Sequence, residues 1–131
     1  MIYADTDFFL ALMKKTDWLK TPALSLYEKY KGDIWTSPTT LIELLLVAEE
    51  YELDPERIVM DAMLLAELRG GVPKTYALAG WYVKTRGVGV FDALHAAFCG
   101  NECQILSSDK VFDKIGLKRI PLNGDQLSEG V

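Results

Sequence analysis

The sequence predicts an α/β fold, a three-layer α/β/α sandwich built around a short-stranded parallel sheet. Short apolar segments of strand character alternate with helical segments at both ends of the chain, which is the pattern of a parallel sheet covered by helices. Prolines and glycines indicate where the helices begin and end. The expected strands are "MIYA", "DIWTS", "CQILSS" and "KRIPL".

Three pairs of residues predict helix starts. Thr21-Pro22, Ser37-Pro38 and Asp54-Pro55 each place a capping residue before a proline, which suits the first helical position. The helix after "MIYA" starts at Thr6 or Asp7. The expected helices are 6–15, 22–31, 38–51, 55–69 and 73–85, followed by two short ones in "VGVFDALHAAFCGN" and "DKVFDKIG".

Length and composition predict one globular domain. The chain has 131 residues, of which 50% are hydrophobic and 25% charged, and this is enough to build a real core. We expect the domain to span residues 1–122 and a polar tail to follow over 123–131. No basic leader precedes an apolar stretch, and the apolar run 41–48 is too short to span a bilayer. A cytoplasmic protein without a membrane segment is therefore expected.

Charge and cysteine content narrow the function classes. The net charge is −5 and the pI is about 4.8, which disfavours a DNA-binding module with a basic face but is compatible with a metal-dependent enzyme acting on phosphate esters. Cys99 and Cys103 do not suffice for a structural zinc site. We expect them to be buried or half-buried thiols.

Four acidic residues lie at the ends of expected strands or in apolar helices, where they could together form a ligand site. Asp5 and Asp109 follow expected strands, and ligands bind at the carboxyl ends of parallel strands. Glu43 lies in "LIELLLV", a helix that is apolar on nearly every side and is therefore predicted to be buried. Asp92 lies in "VFDALHAAF", although aspartate is a poor interior helix former.

Each of these acids also has a plain structural explanation. Asp5 or Asp7 could cap the first helix, Asp109 could cap the helix after it, and Glu43 and Asp92 could lie at a helix rim or in a first turn. Together they would form a cluster of carboxylates that repel one another. A divalent cation with oxygen ligands would stabilise such a cluster at neutral pH.

At this point the sequence resembles a known family. "YADTDFF", "TTLIELLL", "VFDALHAAF" and "ILSSDKVF" resemble, in order, the four motifs of PIN-domain ribonucleases. The size is similar to that of the VapC-like toxins of toxin–antitoxin pairs. The resemblance implies that Asp5, Glu43, Asp92 and Asp109 are catalytic, metal-binding acids. It further implies hydrolysis of RNA phosphodiesters by a water that Mg²⁺ or Mn²⁺ activates, with Asp5 and Asp92 as direct ligands.

The resemblance also points to auxiliary residues and partners. Asp7 stands where the family often has Asn, and it either widens the site by one ligand or only caps the helix. Ser107 stands where the family usually has Thr, and Ser107 or Ser108 would supply a hydroxyl. RNA is the implied substrate. An antitoxin protein and a second copy of the chain are the implied protein partners. Either could bind the apolar surface of helices 55–69 and 73–85, or that surface could be part of the domain's own core.

Several other residues have two interpretations each. His95 shares a helix face with Asp92 and is a ligand, a base or a packing residue. The tryptophans stack RNA bases or fill the core and interfaces, and the lysines near the motif acids contact phosphates or are solvated. These residues are Trp18, Trp35, Trp81, Lys14, Lys15, Lys110 and Lys114.

Two rival functions remain. A PIN-like domain without activity would serve as a binding or scaffold module. A strand followed by Asp-x-Asp also resembles haloacid-dehalogenase-type phosphatases, with Asp5 as nucleophile. In this chain, however, Phe8-Phe9 replaces the usual Gly-Thr, and a phosphatase would leave Glu43 and Asp92 unused.

Overall fold

The computed structural model describes residues 1–123 and shows a five-stranded sheet with seven helices. Nearly all of the predicted tail 123–131 lies outside the described residues. The elements are, in chain order, β1 (Ile2–Ala4), α1 (Thr6–Met13), α2 (Lys20–Tyr30), β2 (Ile34–Thr36), α3 (Pro38–Val47), α4 (Pro55–Leu65), β3 (Glu67–Leu68), α5 (Pro73–Arg86), α6 (Val90–Cys99), β4 (Gln104–Leu106), α7 (Val111–Ile115) and β5 (Lys118–Ile120).

The sheet is parallel throughout, with strand order β3-β2-β1-β4-β5. β1 is therefore central. The next two strands, β2 and β3, are added on one side of it, and β4 and β5 are added on the other, so the strand order reverses at β1. Ligand sites in open α/β sheets form at the carboxyl ends of strands beside such a reversal. The predicted parallel α/β fold is confirmed.

Both faces of the sheet are buried. Along β1, Ile2 and Ala4 contribute to one hydrophobic cluster while Tyr3, between them, contributes to the other, because successive strand residues point to opposite faces. The first cluster includes residues of α1 to α4, and the second includes residues of α5 to α7. Helices thus cover both faces, as the predicted three-layer sandwich requires.

The structure adds one strand to the four that the sequence predicts. The sequence places β3 in a helix from 55 to 69, but α4 ends at Leu65 and Ala66 is already extended, with φ −145° and ψ 150°. The strand has only two residues, Glu67 and Leu68, and both are exposed. It has no alternating apolar pattern, so hydrophobic periodicity could not have revealed it.

Two predicted helix boundaries are wrong. α2 begins at Lys20 with Leu19 in the capping position, so Thr21-Pro22 lies inside the first turn, where a proline needs no hydrogen-bond partner. α3 ends at Val47 and not at residue 51. The chain turns there, since the Leu53 N–H donates to the Ala48 carbonyl at 2.8 Å and Glu52 adopts a positive φ of 56°.

The predicted burial of α3 is also wrong on its outer side. Leu44 is buried, but Ile42, Leu45 and Leu46 are 51%, 53% and 65% exposed. The helix packs on the sheet through one face and presents a second apolar face outward. The central helices behave similarly: Met60, Met63, Leu64, Tyr76 and Trp81 are exposed, whereas Tyr82 is part of the core.

Other expectations agree with the structure. Cys99 and Cys103 are buried, unpaired thiols, as predicted. Trp35 is in the core, whereas Trp18 is exposed. Within residues 1–123, none of the helices combines the length and the apolar character needed to cross a membrane.

Candidate metal centre

The four predicted acids line one pocket at the carboxyl edge of the sheet. Its volume is about 320 Å³. Asp5 follows β1, Asp109 follows β4, Glu43 lies in α3, and Asp92 is in the first turn of α6. The pocket wall is formed by Asp5, Thr6, Asp7, Leu10, Glu43, Val47, Asp92, Ser108 and Asp109. Predicted residues from four separate segments are thus brought together.

Asp5 both caps a helix and faces the pocket. Its Oδ1 accepts the Thr6 N–H at 2.7 Å at the start of α1, and its Oδ2 accepts the Ser107 hydroxyl at 2.7 Å. Burial raises the pKa of Asp5, while the nearby His95 and the Ser107 hydrogen bond oppose the rise. The two interpretations of Asp5 from the sequence are therefore compatible.

Asp7 does not cap α1. Its Oδ2 accepts the backbone N–H of Ser108 at 2.9 Å and also the Ser108 hydroxyl. Its Oδ1 is buried and has no hydrogen-bond partner among the described residues. Burial, and then the charge of Asp5, raise the pKa of Asp7 to about 7. Asp7 is thus a second carboxyl near Asp5, half-buried with one fully buried oxygen, and it is joined to the loop after β4.

Glu43 lines the pocket, and the buried His95 lies behind it. Oε1 of Glu43 accepts the Thr6 hydroxyl at 2.6 Å and is hydrogen-bonded to Nε2 of His95, which also lies 3.2 Å from Oδ1 of Asp5. Burial would raise the pKa of Glu43, but His95 outweighs this effect and keeps the pKa below its ordinary value. Burial would lower the pKa of His95, but Asp5 and then Glu43 raise it.

Asp92 and Asp109 form the outer wall. Asp92 is partly exposed, and its pKa is raised to about 6 by burial, then by the charges of Asp109 and Asp5. Asp109 is exposed; its Oδ1 accepts the Val111 N–H at 2.9 Å, and its own N–H donates to Oγ of Ser107 at 3.0 Å. The N-cap residue of α7 is Lys110, so Asp109 is not the cap itself. It accepts the first N–H of the helix from one position earlier.

The site fits a hard divalent cation. Its donors are carboxylate oxygens, which Mg²⁺ and Mn²⁺ prefer. The raised pKa values of Asp5, Asp7 and Asp92 show carboxyls that burial and their neighbours' charges disfavour in the ionised form. The unpaired Oδ1 of Asp7 is a further oxygen that a bound group could satisfy. Ligand atoms of Asp5, Glu43 and His95 also lie within 4.8 Å of one another.

Sequence reasoning missed the residues that hold these acids in place. Thr6 donates to Glu43, Tyr3 is hydrogen-bonded to His95, and Ser37 is hydrogen-bonded to Tyr3. Arg119 donates to the carbonyl of Ser107 at 3.1 Å. Thr6 stands between two acids and could have been suspected from that position. The others act across the sheet, and nothing in the sequence spacing signals them.

The lysines near the motif acids, which the sequence left as either phosphate contacts or solvated side chains, do not line the pocket. Lys14 pairs with Asp17 at 2.9 Å and lies 4.3 Å from the centre of the Tyr51 ring. Lys110 and Lys114 are exposed beside α7. Among the described residues, the pocket wall contains acids, hydroxyl groups and two aliphatic side chains but no lysine or arginine.

Comparison with known proteins identifies the family. The PIN domain model matches residues 2–118. This chain belongs to the PIN domain family. The membership confirms the resemblance drawn from the four motifs and speaks against the phosphatase interpretation. A search of curated proteins finds no match.

Several solved structures share the fold of this chain over nearly its whole length. One is a toxin–antitoxin complex from Klebsiella pneumoniae, with 12% identity, a TM-score of 0.74, and coverage of 94% of this chain and 98% of that chain. FitAcB from Neisseria gonorrhoeae has 18% identity, a TM-score of 0.72 and coverage of 93% and 98%. VapC20 from Mycobacterium tuberculosis, a toxin that cleaves the sarcin-ricin loop, has 19% identity, a TM-score of 0.62 and coverage of 99% and 95%.

Proposed function

We propose that this PIN domain is a divalent-metal-dependent endoribonuclease of the VapC-like toxin type, acting in the cytoplasm. The observation that carries the proposal is the convergence of Asp5, Glu43, Asp92 and Asp109 on one pocket. PIN nucleases use divalent metals, and this chain retains an acid from each of the four motifs. An inactive binding module would not need to keep four carboxyls that repel one another in one pocket.

The roles proposed for the acids are those that the motif resemblance implies. Asp5 and Asp92 are the proposed direct ligands. Glu43 and Asp109 would hold a second ion, bind the ion through waters or help to deprotonate the nucleophile. When bound, Mg²⁺ or Mn²⁺ would lower the pKa of a water and stabilise charge on the leaving oxygen. Ser107 orients Asp5 by donating to its Oδ2. Ser108, in turn, orients Asp7.

RNA is the proposed substrate. The structural neighbour VapC20 acts on an RNA, the sarcin-ricin loop. The pocket of this chain is acidic and would repel a phosphodiester on its own, so a cation held there would be needed to attract the anion. The aliphatic side chains of Leu10 and Val47 line the same pocket and offer a surface for the ribose or base.

The decisive experiment is a cleavage assay on structured RNAs with Mg²⁺ or Mn²⁺. Wild type should cleave, and Asp5→Asn should lower kcat by at least about 100-fold, as the loss of one electrostatic catalytic group commonly does. Asp61→Asn, on α4 outside the metal pocket, is the matched control and should retain activity. Wild type that cleaves no RNA and binds no divalent metal in calorimetry would refute the proposal. Loss of cleavage with retained partner binding would support the scaffold alternative.

An antitoxin is the proposed protein partner. A groove of about 570 Å³ lies between α1, α2 and α4, and its wall is mainly apolar: Leu12, Met13, Leu24, Tyr27, Leu53, Ile58, Leu64 and Leu65. Glu28, Asp54, Asp61 and Arg57 also line it. Structural neighbours have been solved as toxin–antitoxin complexes. We propose that an amphipathic antitoxin segment with basic flanks occupies this groove.

The partner proposal is tested by co-purification. The product of a small gene directly upstream should co-purify with wild type and suppress its toxicity. Leu64, 83% exposed, can be changed without disturbing the core, so Leu64→Glu should release the partner while RNA cleavage persists. Leu78→Glu, on α5, is the control. Unchanged co-purification of Leu64→Glu would exclude the groove.

A homodimer is the other proposed assembly. The outward face of α3, with Ile42, Leu45 and Leu46, is apolar surface that a second copy would cover. Sedimentation equilibrium should give about twice the chain mass for wild type and the monomer mass for Leu46→Glu. A monomeric wild type at micromolar concentration would contradict this proposal.

A further inference from the structure

We propose that His95 is a positioning residue and not a metal ligand: its Nε2–H donates to Asp5 and Glu43, and Tyr3 holds the ring in that orientation. The proposal rests on the proposed function in so far as these two carboxylates belong to the metal site. His95 is only 1% exposed and lies deeper than either acid. Its proximity to both acids would otherwise make it an obvious candidate ligand.

The surroundings of Nε2 determine where its proton lies. Three oxygens face this nitrogen: Oδ1 of Asp5 at 3.2 Å, Oγ1 of Thr6 at 3.3 Å and Oε1 of Glu43. Ionised carboxylates only accept hydrogen bonds. The Thr6 hydroxyl already donates its single proton to Glu43, at 2.6 Å. A bare nitrogen lone pair would therefore face three oxygen lone pairs, whereas an N–H satisfies them.

The contacts of the other ring nitrogen are compatible with this assignment. Nδ1 lies 2.6 Å from the hydroxyl of Tyr3, which lies 2.7 Å from Oγ of Ser37. In the neutral ring Tyr3 donates to Nδ1 and accepts from Ser37; in the charged ring Nδ1 donates to Tyr3, which donates to Ser37. Nε2 carries a proton in both of these cases. A neutral ring protonated on Nδ1 could also donate to Tyr3, but it would leave Nε2 without a proton opposite three oxygens. Tyr3, Ser37 and His95 are all fully buried, so each of these polar groups needs a hydrogen-bond partner.

This arrangement brings together two acids that would otherwise separate. Asp5 comes from the end of β1 and Glu43 from α3, and one N–H shared between them offsets their repulsion. The contacts occupy Oδ1 of Asp5 and Oε1 of Glu43. Oε2 of Glu43 receives no hydrogen bond from the described residues and remains available to a cation. An imidazole that orients ligating carboxylates in this way is a supporting partner, whose loss typically weakens metal affinity by about 10–100-fold.

Two amide substitutions of His95 test whether its Nε2 acts as a hydrogen-bond donor or as a metal ligand. His95→Gln places an amide N–H near the position of Nε2, whereas His95→Asn reaches only the position of Nδ1. If His95 is a donor, His95→Gln should retain Mn²⁺ affinity in calorimetry within about threefold, and His95→Asn and Tyr3→Phe should weaken it, the former by about 10-fold or more. Equal and large losses in the Gln and Asn variants would overturn the proposal. Thermal melting of each variant shows whether it is folded before its affinity is compared.

A second measurement needs no variant. In histidine-labelled wild type, an NMR spectrum correlating each ring nitrogen with its directly bonded proton should show a protonated Nε2, both without metal and with saturating Mg²⁺. Loss of that proton when Mg²⁺ is added would make His95 a ligand and overturn the proposal. Failure of the proposed function can be told apart from failure of the His95 proposal. If the proposed function is wrong, RNA cleavage or Mg²⁺ binding is absent. The proton on Nε2 of the metal-free protein still tests the role of His95.

Discussion

Ser108 binds one oxygen of Asp7 through both its backbone N–H and its hydroxyl, and so joins the loop after β4 to the first turn of α1. The other oxygen of Asp7 is buried without a partner among the described residues. One half of this carboxyl is thus structural and the other half is unsatisfied. A buried charge of this kind lowers stability unless something compensates it.

Asp7→Asn should therefore stabilise the metal-free protein. The amide oxygen can still accept both Ser108 bonds, but the buried charge beside Asp5 is gone. At pH 8, with a chelator present, we expect a rise in melting temperature of roughly 3–8 °C, corresponding to about 1–2 kcal/mol. Asp7→Ala is the control, because it also removes the Ser108 contacts and should not stabilise to the same extent. A lower melting temperature for Asp7→Asn would contradict the assignment.

The stability of the metal-free protein should fall as pH rises. The pKa of Asp7 is raised to about 7 and that of Asp92 to about 6, both from an ordinary value of 3.8. The folded state then binds more protons than the unfolded state between about pH 4 and 7, so the free energy of unfolding decreases across this range. His95, whose pKa is also raised, adds a loss in the same direction.

Urea denaturation at pH 5, 6, 7 and 8 in a chelator measures this slope. We expect wild type to be more stable at pH 5 than at pH 8, and Asp7→Asn to show a flatter dependence. A stability that instead rises steadily from pH 5 to 8 would mean that these carboxyls ionise easily in the folded protein. In that case burial and neighbouring charges would not disfavour the ionised forms of Asp7 and Asp92, contrary to the description of the site above.

The parallel α/β fold could be predicted because its signals are local. Buried strands such as β1 are short apolar runs, and Asp54-Pro55 begins α4 as expected, with the Asp54 side chain accepting from the N–H groups of Glu56 and Arg57. β3 could not be predicted, since Glu67 and Leu68 become a strand only through pairing with β2. The exposed side of α3 was missed because an apolar helix face looks the same whether the fold or a partner covers it.

The sequence pointed to the acids of the candidate site and to the hydroxyls of Ser107 and Ser108, but not to the other residues that support the acids. Asp5 and Asp109 follow apolar strands, and Glu43 and Asp92 interrupt apolar helices, so each violates a local rule that a function can explain. His95 breaks no such rule, because a histidine in an amphipathic helix is ordinary. Its contacts with Glu43 and Asp5 join residues at least 52 positions apart in sequence, and only the folded chain shows them.

Divalent metal should stabilise wild type strongly. A ligand at about 100 times its dissociation constant adds about 2.7 kcal/mol to the free energy of unfolding, so saturating Mn²⁺ should raise the melting temperature by at least about 5 °C. Asp92→Asn should lose most of this gain because it removes a proposed direct ligand. Asp61→Asn, a partly buried position on α4 outside the pocket, should keep it. Equal gains in all three proteins would show that Mn²⁺ binds elsewhere.

Arg119 should support the metal site from β5. Its guanidinium binds both oxygens of Asp113 at 3.0 Å and the Ser107 carbonyl at 3.1 Å, and a lysine cannot make these planar, paired contacts. Arg119→Lys should therefore lower stability by about 1–3 kcal/mol and weaken Mn²⁺ binding severalfold, because Ser107 leads directly into Asp109. Asp113→Asn, which keeps the carbonyl contact, should affect stability more than affinity. If Arg119→Lys loses stability but binds Mn²⁺ as wild type does, the Ser107 carbonyl contact serves folding alone, and the loop that carries Asp109 is held by Ser108 and Asp7 instead.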